Sequence, residues 1–112
     1  MDRGYEGGRI MAKSIIEPQD ANTCFECGAY GYLEEHHIFF GNPMRKKSEK
    51  YGLKVHLCYL HHRDSKEGAH FNKELDLKLK RIAQKAWENK HQPNAREKFM
   101  RAFWKNYLDD EE

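Results

Sequence analysis

Three cysteines in 112 residues are too few, and odd in number, for a disulfide framework to hold a small chain together. No apolar run preceded by basic residues opens the chain, so no secretory signal is expected and the thiols are read as reduced, as in a cytoplasm-like compartment. No stretch approaches the roughly 20 apolar residues that span a bilayer, which excludes insertion as a membrane helix. Apolar residues are scarce as well, at 38% of the chain. A single domain of this size buries only a modest core and needs further support. A structural metal is the natural candidate, because zinc binding is linked directly to folding free energy.

Net charge is also small, +2, but unevenly spread. Arg45, Lys46, Lys47, Lys50 and Lys54 fall close together, whereas the chain ends in Asp109-Asp110-Glu111-Glu112. The basic run suits a polyanion such as nucleic acid, and a solvated charged loop is its plain alternative.

What the chain does have is a concentration of metal-type ligands around Leu33-Glu34-Glu35-His36-His37-Ile38-Phe39-Phe40. Cys24-x-x-Cys27-Gly28 precedes it and Cys58-x-x-His61-His62 follows it. Two thiolates separated by two residues reach one ion from a tight turn, and the glycine allows the positive φ such turns need. Cys24, Cys27, Cys58 and His61 together make the S₃N set that tetrahedral zinc prefers. A redox Cys-x-x-Cys would expect a βαβ context, and Tyr30 to Phe40 is aromatic and β-branched instead. The zinc set leaves His36, His37, His62 and His70 for a second, chemically active site that holds a divalent ion such as Mg²⁺, Mn²⁺, Ni²⁺ or Zn²⁺ or moves protons near neutral pH. His56 reads as an ordinary side chain.

Taken in order, residues 1–14 read as a weakly ordered lead-in, with Met11 an alternative start, and 15–108 as one domain with an acidic tail at 109–112. A strand is expected from Tyr32 to Phe40, with Glu35 and His37 on one face and Glu34 and His36 on the other. Both histidines serve one site only if the strand ends or bulges near His37. Gly41-Asn42-Pro43 opens a loop carrying the basic residues to Gly52, and Leu53 to Leu57 alternates as a second strand that delivers Cys58. Gly68 marks a break after His62, without which a straight helix would hold His62 and His70 roughly 12 Å apart. Asn72 is a helix cap before the stripe Leu75, Leu79, Ile82, Ala83, Ala86 and Trp87. Asn94 with Glu97 resembles a capping box for a last helix presenting Phe99, Met100, Phe103, Trp104, Tyr107 and Leu108 to the core. The expected class is α+β, a small zinc-stapled core (24–72) with two C-terminal helices (73–108).

Cys24-x-x-Cys27, then Glu35-His36-His37-Ile38, then Leu57-Cys58-x-x-His61-His62 resembles the HNH endonuclease family, whose core is the ββα-metal (His-Me) finger. The runs Glu34 to Gly41 and Arg45 to Leu53, with the ending Lys105-Asn106-Tyr107-Leu108, are similar to small HNH-type proteins of phages and prophages, which implies action in a bacterial cytoplasm. The resemblance implies that His37 is the general base and that His36 and His62 hold a catalytic divalent metal, with His70 or Asn72 completing the set. Asn42 is the candidate for the residue that orients the base, and Arg45, Lys46, Lys47 and Lys50 would hold phosphates of DNA without reading bases. The chain departs from the family pattern in three places. His61 stands where a fourth cysteine is usual, Asn42 lies farther from the second strand than the orienting Asn does, and His62 and His70 are eight apart. Few base-edge readers are visible, so weak sequence preference, or targeting by nucleic-acid structure or by a partner protein, is expected. The alternative is a zinc-stapled DNA-binding or adaptor module that keeps the shape without cleaving.

Overall fold

A computed structural model describes residues 12–108. The first eleven residues of the expected lead-in and the acidic tail lie outside the described residues. Of the rest of the lead-in, Ser14 is already engaged: its Oγ donates to Lys54 O at 2.6 Å and accepts from Ile16 N.

The order of elements is β1 (Glu34–His37), α1 (Met44–Tyr51), β2 (Lys54–Leu57), α2 (Tyr59–Arg63), α3 (Lys73–Lys90) and α4 (Ala95–Phe103). The two strands form an antiparallel pair with Glu34 opposite Leu57, Glu35 opposite His56, His36 opposite Val55 and His37 opposite Lys54. Both are shorter than the expected runs. The chain bends immediately after His37, and Ile38 and Phe39 turn into the core with Leu53, Val55 and Leu57.

Between the strands the structure differs from the sequence reading, because the basic segment is a helix rather than a loop. Arg, Lys, Glu and Met are good helix formers, and Gly52 ends the run with φ 73°, returning its N–H to Glu49 O and Ser48 O. No side chain other than hydrogen fits there, since a Cβ on Gly52 would stand 2.1 Å from Lys13 O. Buried Ser48 fastens α1 to the end of β1: its Oγ accepts from Phe39 N at 2.9 Å and donates to Phe39 O at 2.7 Å.

The expected cap of α3 is present, with the Asn72 side chain accepting from Leu75 N at 3.1 Å. Leu75, Leu79, Ala83 and Trp87 are buried on its inner face against Phe99 and Phe103 of α4. Asn94 does stand at the N-cap of α4, but in the left-handed region (φ 62°) and without a side-chain cap, so the capping box is not made. The helix also stops at Phe103. Met100 and Trp104, expected in the core, are exposed, and the Trp104 ring lies under the Lys47 ammonium at 4.7 Å. Asn106 and Tyr107 instead fold back onto α3, where buried Gln84 donates to Asn106 Oδ1 and accepts from Tyr107 N, each at 2.8 Å. No helix among the described residues is long and apolar enough to cross a membrane.

Candidate active site

The first ligand cluster is built by local turns. Gly28 N bonds to Cys24 O at 2.8 Å and Cys24 N to Ala29 O at 2.9 Å, closing the knuckle, and Phe25 N reaches His56 O at 2.8 Å to dock it on β2. One turn of α2 presents His61 Nδ1 3.4 Å from Cys58 Sγ, which is itself 3.9 Å from Cys27 Sγ. The ligand atoms of Cys24, Cys27, Cys58 and His61 all lie within 4.8 Å of one another, compatible with a structural zinc. Burial works to raise the Cys24 thiol. The backbone N–H groups of Cys58, Cys27 and Glu26 outweigh it and bring the thiol down to about 7, which favours the thiolate a metal needs.

The second cluster follows from the two-residue period of β1. One face carries Glu34 and His36 towards α2, and the other carries Glu35 and His37 towards α1 and Lys54. On the first face, His36, His62 and His70 bring three ligand nitrogens within 4.8 Å of one another. Their ring centroids are 4.9–5.1 Å apart, and the Nε2 atoms of His62 and His70 approach to 3.2 Å. His70 arrives there through a tight turn in which Gly68 N bonds to Asp64 O and Ala69 N to His61 O. A Cβ on Gly68 would sit 2.7 Å from Asp64 N and O, so only glycine permits this close path.

His36 is fully buried, yet neither of its ring nitrogens has a hydrogen-bond partner among the described residues. Such an orphan is costly in a folded protein unless a ligand satisfies it. Burial, with the neighbouring His70, His62, His37 and Lys80, pushes its pKa down to about 3, so the ring is neutral and its lone pair available. His70 is lowered in the same direction, mainly by burial and by His62. His62 Nδ1 lies 2.7 Å from Glu34 Oε1. Donation of the Nδ1 proton to that carboxylate turns Nε2 towards the cluster, the arrangement by which a carboxylate orients a metal-binding histidine. Glu34 is held below the usual carboxylate range by His62 and by Arg63, whose Nε donates to it at 2.6 Å. A donor set of three imidazoles, one of them an orphaned ring, fits a divalent transition ion.

On the opposite face of β1, His37 Nε2 lies 2.8 Å from Glu49 Oε1. Lys54 Nζ bridges Glu49 and Glu35 at 3.0 and 3.1 Å. Burial would raise the Glu49 carboxyl, but His37 and Lys54 more than offset it and keep Glu49 ionised below its ordinary range. An ionised carboxylate only accepts, so the proton shared between His37 and Glu49 sits on Nε2.

Both faces open into one cleft of about 220 Å³, whose walls include Glu35, His37, Arg45, His62, Arg63 and His70. The structure thus brings together His36, His62 and His70, and sets His37 and Arg45 beside them. Asn42 is exposed in the turn before α1, and the bond to His37 comes from Glu49. Asn72 caps α3. Lys46 and Lys50 are exposed on α1, whereas Lys47 donates to Ala102 O. Sequence reasoning missed Glu34, Glu49, Lys54 and Arg63 as site residues. Only Glu34 and Arg63 carried a signal, through their places beside the histidine pairs. Comparison of the chain with family models, with curated proteins and with solved structures finds no match.

Proposed function

We propose that this protein is a metal-dependent endonuclease of the HNH type that hydrolyses DNA phosphodiester bonds, with β1, β2 and α2 as its ββα-metal core and a structural zinc in the Cys₃His knuckle. The observation that carries this reading is buried His36, whose ring nitrogens have no hydrogen-bond partner among the described residues and which offers one of them to a cluster with His62 and His70, themselves walls of an open cleft. His36, His62 and His70 would hold a divalent ion, which supplies Lewis-acid stabilisation of charge on the phosphoryl group and the leaving oxygen. His37 accepts a proton from the attacking water at Nδ1, and the resulting imidazolium is stabilised by Glu49 through Nε2. Glu34 keeps the His62 ring turned towards the cluster. Arg45 and Arg63, on the cleft wall, offset phosphate charge.

A zinc-stapled DNA-binding or adaptor module would use the knuckle and the exposed basic residues of α1, and it leaves His36 without a task. Plasmid cleavage with Mg²⁺, Mn²⁺ or Ni²⁺ separates the two, using protein stripped of labile metal but retaining its zinc. His37→Ala is expected to lower cleavage roughly 10²–10⁴-fold while DNA affinity and zinc content stay level. His36→Ala is expected to weaken the response to added metal instead. Equal cleavage by wild type and His37→Ala would remove His37 as the base, and no cleavage with any of these ions would leave the binding module.

A further inference from the structure

Behind the histidine cluster lies a second concavity of about 440 Å³, lined by Tyr59, His62, Arg63, His70 and Phe71. Its size falls in the range of small-ligand sites, about 300–1,000 Å³. Tyr59 and Phe71 are 60% and 63% exposed and belong to no core cluster, in contrast to Phe39, Phe99, Phe103 and Trp87, which are buried. Folding therefore does not account for them. Each follows directly on a ligand-type residue, Tyr59 on Cys58 and Phe71 on His70, so the same turns that build the two clusters hold both aromatic residues in place.

Three walls of this pocket, His62, Arg63 and His70, are also walls of the cleft that contains His37. An occupant of the pocket is thus a close neighbour of the phosphate handled in the cleft. A nucleotide joins a flat π-face to a phosphate, and aromatic side chains bind bases by stacking whatever the sequence. Within a continuous duplex both faces of a base are already stacked, so a base in this pocket must be unpaired or already displaced. Arg45 and Arg63 supply the cations that a polyanionic strand requires.

We infer that the Tyr59–Phe71 pocket takes one unpaired nucleobase next to the scissile phosphate, so that the preferred substrate is single-stranded, frayed or flapped nucleic acid. This assignment rests on the phosphodiesterase reading above and names the substrate class of the same site.

The experiment measures fluorescence anisotropy of a short single-stranded oligonucleotide and of the matching blunt-ended, fully paired duplex. The full chain is stripped of labile metal and retains its zinc. Wild type is expected to bind the single strand about tenfold more tightly than the duplex, and Tyr59→Leu and Phe71→Leu each to lose about that factor for the single strand alone, in line with the loss of one base–aromatic stack. Leucine keeps apolar bulk without the π-face, and Tyr59→Phe should retain the preference. Zinc content and circular dichroism establish that each variant is folded. A deoxynucleoside monophosphate should displace the oligonucleotide only at far higher concentration. Displacement at equal concentration would overturn the strand in favour of a free nucleotide. Unchanged affinities in both leucine variants would overturn the base pocket and leave this face to a protein partner. Binding that depends on Tyr59 and Phe71 without cleavage under any divalent ion would sink the nuclease reading while leaving the base pocket standing.

Discussion

The Cys₃His knuckle and the three-histidine cluster draw on the same part of the chain, each taking ligands before and after β2, but they are supported in opposite ways. In the knuckle, backbone N–H groups turn towards Cys24, and short turns hold the ligands in place. In the histidine cluster, a fully buried ring has no hydrogen-bond partner among the described residues, and its neighbour His62 is held by Glu34 from 28 residues away. The first resembles a closed structural site and the second a site with ligand capacity left over, the feature on which the proposed function rests.

The largest effect should come from breaking the knuckle. Cys58→Ser is expected to abolish the cooperative unfolding transition and reduce zinc from about one per chain to near none. Structural zinc contributes folding energy of the order of 10–16 kcal/mol in small domains. Metal analysis with thermal circular dichroism checks this, and a well-folded, metal-free variant would remove the staple.

Next is Gly68→Ala, which inserts a methyl group into the turn that carries His70 to His62. Overpacking of this kind costs about 1–3 kcal/mol. The expected result is a lower urea midpoint, full zinc content and weaker binding of added Co²⁺ or Ni²⁺ at the histidine cluster. Unchanged affinity for those ions would separate His70 from the site.

Acid should act on the histidine cluster first. Folded His36 is lowered to about 3, so between there and the usual histidine value the unfolded chain binds a proton that the folded one does not. Stability is therefore present above pH ~6.5 and is lost as pH falls towards ~3. With the cluster metal-free, urea midpoints should drop between pH 7 and 5, and the drop should be smaller in His36→Leu. Parallel curves for the two proteins would show that His36 does not set this dependence.

The smallest effect is expected on the outer face of α1. Replacing exposed Lys46 and Lys50 with Ala should weaken DNA binding across sequences and reduce its salt slope by about two, with stability unchanged. Lys47→Ala should lower stability as well, because its ammonium also holds Ala102 O and covers Trp104. An unaltered salt slope would move the phosphate-binding surface off α1.

Much of the knuckle was legible because its ligands come in pairs with fixed spacing, and the capped helix at Asn72 because its signal is local. Helix α1 was misread as a loop: its charges hid the one buried contact, Ser48, that pins it to Phe39. Trp104 and Met100 were assigned to the core by helical spacing, but the helix ends at Phe103, and the spacing has no meaning beyond that point.

By itself the sequence determined which residues could serve as ligands, which way alternate residues of β1 point, and that small size calls for a staple. These depend on local chemistry and on the two-residue period of a strand. Tertiary structure alone decided the partners. Glu34 meets His62 from 28 residues away and Glu49 meets His37 from 12, distances along the chain that no periodicity encodes. They meet because the antiparallel register sets β1 beside β2, because Ser48 anchors α1 over the end of β1, and because Gly68 lets the chain fold back closely enough to return His70 to the cluster.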